Sequence, residues 1–220
     1  MPMTSNNRMG NTKGYQMRLE GWKTTWLVAI SLALIVLATI YWHGLSEESV
    51  RTILRGTARS SVILFLLAFS ASSLHWLLRK TWTAWLLQNR RYIGVSFAVS
   101  HFCHLLAIIA LAALFPHPFL DKLSGITLTG GGLAYVFIAA MAATSFDRTR
   151  DWLGSKRWKL LHTAGSYYIW IIFTQSYFPR AFKDGFYVPF LAALVIVMFL
   201  HMFRAFQKRA QPVRVGSDDS

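Results

Sequence analysis

The sequence predicts an all-α bundle of six membrane-spanning helices with both termini cytoplasmic, and three observations lead there. The 220 residues are 54% hydrophobic and only 15% charged, which is too little polar surface to coat a soluble domain of this size. Six apolar runs follow one another, each close to the ~20 residues that a helix needs to cross the hydrocarbon core. The 23 Lys and Arg residues gather between these runs and divide unevenly, 17 on one side of the predicted membrane and six on the other. The positive-inside rule makes the richer side cytoplasmic.

Residues 1–24, with Arg8, Lys13, Arg18 and Lys23 and no apolar periodicity, read as a disordered basic cytoplasmic tail. The first run, Thr25 to Trp42, has no small-residue cleavage site behind it and reads as a retained span rather than a signal peptide. The other five are Ser60–Leu78, Tyr92–Phe115, Ile126–Phe146, Leu160–Phe178 and Phe186–Phe203. Residues 25–203 thus form one six-helix membrane domain, and 204–220 a second cytoplasmic tail. Gly130, Gly131 and Gly132 open the fourth span. With no Lys-Ser/Thr after them they are no phosphate loop, and they read as close helix packing or a loose helix start.

The formal charge of +14 comes in short clusters between apolar runs, not as one basic face, so the partner is a lipid bilayer and not nucleic acid. A single cysteine, Cys103, excludes an intrachain disulfide and any C-x-x-C motif, covalent c-type haem attachment included.

Histidines carry the chemistry. His101 and His104 lie inside the third run, three residues apart, so both rings share one helix face. His104 is thirteen residues beyond Arg91, roughly 20 Å into the membrane at 1.5 Å per residue. Ionisable residues at that depth mark a site by default. His162 opens the fifth span near the inner interface. His75 and His201 have similar inner depths and read as interfacial rings, while His43 and His117 belong to outer loops. Intramembrane histidines on two odd-numbered, parallel spans are the ingredients of haem ligation between facing helices of a bundle.

R-R-x-x-G at 90–94 with His104 beyond it, A-A-T-S-F-D-R-T-R-D-W-L-G at 142–154 and R-W-K-L-L-H at 157–162 together resemble the ferric reductase-like transmembrane domain. The likeness runs from about Gly56 to Phe178 and is closest to short bacterial members without a flavin domain, such as the haem-binding membrane subunit of the methionine sulfoxide reductase system. The resemblance implies a b-type cytochrome of the bacterial inner membrane that carries electrons across it, an oxidoreductase component. It implies His104 and His162 as ligands of haem iron, with Arg90 at the family position that pairs with His162. One departure stands out: the family's second histidine, thirteen residues after His162, is Gln175 here. One haem b is therefore expected rather than two, held by His162 and a third-span partner, His104 before His101. His75 is the alternative by depth. No G-x-G-x-x-G is present, so a flavin reductase or a quinol is the expected donor, and the acceptor is an unknown protein or metal. Two other readings stay open: a non-redox membrane protein whose His101/His104 pair binds a metal or relays protons, and a haemless scaffold of the same fold.

Overall fold

The computed structural model describes residues 21–119 and 125–210, so most of both expected tails lies outside the described residues. The described chain is all helix: α1 Trp22–His43, α2 Glu47–Leu78, α3 Thr81–Gln88, α4 Arg90–Leu114, α5 Pro116–Phe119, α6 Gly125–Ala143, α7 Asp147–Leu153, α8 Ser155–Lys183 and, after a 3-10 turn at Gly185–Tyr187, α9 Val188–Ala210. The six long helices alternate in direction. The start of α1 is tied to the start of α4 by Gly21 N–H donating to Asn89 Oδ1 (2.9 Å) and Thr25 Oγ1 donating to Tyr92 O (3.1 Å). The turn after α6 accepts the Trp158 indole N–H of α8 at Thr144 O (3.0 Å). His201, near the end of α9, bonds to Phe69 in the second half of α2. These contacts gather at one end of the bundle, together with α3 and α7.

Among the described residues, four helical stretches are long and apolar enough to cross a membrane: α1, α2, α4 and Gly185–Arg209, which takes in nearly all of α9; α6 and α7 supply a fifth if that pair, bent by 107°, is one span. The chain is a multi-pass membrane-helix bundle. Its apolar side chains face outward as well as inward, with Val136 63% and Phe199 66% exposed, a surface that water would penalise and lipid tails solvate. α8 is long enough but carries Tyr167, Tyr168, Thr174, Gln175 and Ser176 along its length, and it is not among these stretches.

Local chemistry sets the ends. α2 begins thirteen residues before the apolar run at Ser60, because Ser46 caps it by accepting from Ser49 N–H (3.2 Å) and Arg51 pairs with Glu47 one turn earlier (2.6 Å). Glu47 and Glu48 also complement the positive end of the helix dipole. It stops at Arg79, the one non-glycine residue with positive φ (49°) among those described. The α6–α7 bend is held by Thr144 and Thr149, whose hydroxyls donate back to Ala140 O (2.7 Å) and Ala143 O (2.5 Å). Of the three consecutive glycines, Gly130 packs: its carbonyl accepts from Tyr168 OH (3.0 Å), and Ile172 lies 3.6 Å from where its Cβ would stand.

α2 and α4 approach closely through small polar residues. Ser60 and Ser61 both meet Ser100 Oγ (2.8 and 3.0 Å), and Ser100 in turn reaches Thr57 O (3.3 Å). Without a hydrophobic drive between helices in lipid, such contacts and van der Waals packing hold the pair together. The centre of the bundle is aromatic and aliphatic: Phe65, Phe97, Ile138, Ile169 and Phe173 are all buried.

Candidate functional site

A cavity of about 610 Å³ opens at the α3/α7 end, within the size range of small-molecule and cofactor pockets. Five long helices wall it. α2 contributes Phe65, Ala68, Phe69 and Ser72; α4 Arg90, Arg91, Gly94, Phe97 and Ala98; α6 Ile138, Met141 and Ala142; α8 Trp158, His162 and Tyr167; and α9 His201 and Arg204. Arg150 and Lys159 stand at the same wall. The floor is apolar and aromatic, as the core composition dictates, and the basic residues come from helix ends.

Charge is one-sided here. Among the described residues no carboxylate lines the cavity, which is lined by four arginines and a lysine. Arg91 is paired outside it, with Asp147 (2.7 Å), and Arg150 lies over the Trp158 ring (5.3 Å). The Nε of Arg204 is buried and lacks a hydrogen-bond partner among the described residues. An unsatisfied buried guanidinium N–H is costly, and an anionic group in the cavity would satisfy it.

His162 is the imidazole placed to act. The Thr144 hydroxyl donates to Ala140 O, so its oxygen accepts from His162 Nε2–H (3.1 Å), while Trp158 stacks on the ring (centroids 4.3 Å apart). Nδ1 then carries the electron pair and has no hydrogen-bond partner among the described residues. A ligand histidine has this form, one N–H anchored and the other nitrogen free. His201 differs. Its Nε2–H donates to Phe69 O (2.9 Å), Ser73 Oγ meets Nδ1 (3.4 Å), and the ring stacks on Phe69 (4.3 Å).

The other predicted site residues lie elsewhere. His104 donates Nδ1–H to Leu54 O (3.1 Å), with Thr57 Oγ1 at 3.2 Å. That leaves Nε2 with its electron pair, but His104 does not line the cavity. His101 stacks beside it (5.4 Å) and tilts against Tyr135 (4.8 Å), and among the described residues neither His101 Nδ1 nor Tyr135 OH has a hydrogen-bond partner. The structure therefore brings His101 and His104 together and places both away from His162. His75 closes the α2–α3 corner by bonding Thr83 Oγ1 (3.1 Å). Gln175 is exposed. A ladder of rings connects the two regions: Phe69 to Phe65 (5.2 Å), Phe65 to Phe97 (5.6 Å) and Phe97 to His101 (5.5 Å).

The sequence reading took His201 for an interfacial ring and gave Arg204 no role beyond topology. A signal existed: they are three residues apart on one helix face. Among the described residues no three His, Cys, Asp or Glu side chains gather as a metal site. The set fits a flat apolar ring system bearing carboxylates and needing one nitrogen from the protein.

Residues 55–174, more than half of the chain, match the family model described as ferric reductase like transmembrane component. No curated protein and no solved structure matches the chain.

Proposed function

Because this chain belongs to the ferric reductase like transmembrane component family, we propose that it binds haem b in the cavity at the α3/α7 end and passes electrons across the membrane. The observation that carries this reading is the cavity wall. Among the described residues it combines one imidazole with a free nitrogen, a buried guanidinium Nε without a hydrogen-bond partner, and no carboxylate. Haem brings four nitrogens of its own, so the absence of a three-residue metal cluster is compatible with it. Its two propionates answer the unbalanced charge, and Phe65, Phe69, Phe97 and Trp158 suit its apolar faces.

Each part of the chain has a task in this reading. His162 would supply an axial nitrogen, with Thr144 fixing the ring. Arg90 and Arg204 would hold the carboxylates. The helices exclude water and set the dielectric, while the bound group supplies the one-electron chemistry. The basic end is cytoplasmic in this reading, the six long helices are all spans, and both termini lie inside. Electrons enter from a flavin reductase or quinol and leave along the ring ladder toward His101 and His104, for an acceptor on the far side. The family position of His104 and its free Nε2 support its taking part at that far end.

An absorption spectrum of detergent-purified protein tests the reading. A Soret band that shifts on dithionite reduction is expected. A preparation from haem-replete cells that stays colourless, and takes up no added hemin, would sink it.

A further inference from the structure

We propose that His162 is the one imidazole in the cavity free to hold haem iron, so that haem bound there would take up a small exogenous ligand such as carbon monoxide or imidazole. The inference rests on the haem reading and specifies its coordination.

The other nitrogens in the wall are committed or lack an electron pair. Arg90 stands at the family position that pairs with His162, but a guanidinium stays protonated and has no pair to give. The same holds for Arg204, and for Lys159 as an ammonium. His201 is the one other imidazole in the wall. Helix α2 engages both its nitrogens, through Phe69 O on one side (2.9 Å) and Ser73 Oγ on the other (3.4 Å), and Phe69 covers one face of the ring. Freeing it would break both bonds and leave the buried Ser73 hydroxyl without the ring nitrogen it meets. The thioether of Met141 lies at the α6–α8 contact, against Gly165. His162 pays no such cost, because the nitrogen it would use is the one without a partner.

His104 does not compete, since it lies outside this wall, at the far end of the ring ladder. A bis-imidazole centre is closed to added ligands. A centre with one imidazole is not, and that difference is visible by spectroscopy without any assay of turnover.

The experiment uses full-length protein in detergent, with haem as purified or reconstituted. The wild type should give a high-spin spectrum, and carbon monoxide should shift the Soret band of the dithionite-reduced form. His201→Gln, which can still donate to Phe69 O but cannot ligate as an imidazole, should keep both the spin state and the carbon monoxide shift. His162→Gly should lose the haem and regain it with added imidazole. A low-spin wild type that ignores carbon monoxide overturns the proposal. If that spectrum turns high-spin in His201→Gln, His201 is the second ligand; if it does not, another side chain is. A wild type that binds no haem at all removes the haem reading itself, a failure seen before any ligand is added.

Discussion

At the scale of single residues, the difference between His162 and His201 lies in what surrounds the ring rather than in depth. Both are histidines near the same end of the bundle, and both line the same cavity. One keeps a nitrogen free and the other has none. Thr144 matters for this reason: its hydroxyl is turned toward Ala140 O, so its oxygen must accept from the ring. Thr144→Val keeps the volume and removes the acceptor. Loss of such outer partners typically weakens metal binding 10–100-fold. Thr144→Val should therefore retain haem about 10-fold less tightly, read by titrating hemin into the apoprotein, while the fold persists by circular dichroism. Unchanged affinity would mean that Thr144 does not orient the ligand.

At the scale of elements, the α6–α8 contact decides how tightly the cavity's far wall closes. Gly165 is buried in α8. A Cβ there would press on the Met141 sulfur and come within 3.2 Å of Phe137 Cδ1. Two effects oppose each other in Gly165→Ala. A methyl in place of hydrogen favours the helix by roughly 0.5–1 kcal/mol, and the flexible thioether can move aside cheaply. Gly165→Ala should thus be near neutral. Gly165→Ile cannot be absorbed, since a branched side chain overfills the contact at about 1–3 kcal/mol. Thermal unfolding in detergent should show little change for alanine and a clear fall for isoleucine. Equal falls for both would show that backbone approach, not side-chain volume, sets the contact.

At the scale of the whole molecule, direction is the testable property. The six long helices alternate, and the basic residues collect at the end where α1, α4 and α8 begin. If α8 spans despite its polar residues, the chain crosses six times and both ends share a side. A reporter active only in the cytoplasm should then work when fused after Ser220 and fail when inserted beside Asp184, in the turn between α8 and α9. The reverse pattern would invert the bundle and put the cavity outside. Equal activity at both positions would mean that the α8–α9 unit does not cross.

Much of the architecture was legible because lipid imposes a simple rule: a spanning segment must be apolar and must satisfy its own backbone. The run from Tyr92 to Phe115 became α4 at Arg90–Leu114, and Thr25–Trp42 became α1 at Trp22–His43. The rule fails where helix continues without being apolar. The first turns of α2 depend on the Ser46 cap and the Glu47–Arg51 pair, and the end of α9 runs through Ala210 into what read as tail. The candidate site was legible in its parts: His162 was singled out by spacing and resemblance, and His101 with His104 as a same-face pair. Which of them share a space was not. The cavity is made by five helices from across the chain, and His201 and Arg204 enter it only because α9 packs back against α2. The sequence by itself determined the membrane-bundle class and singled out His101, His104 and His162 as candidates. Tertiary structure alone decided that His162 faces a cavity with His201 and Arg204 while His104 does not, because a ring's partners across the bundle are set by packing between helices and not by spacing along one.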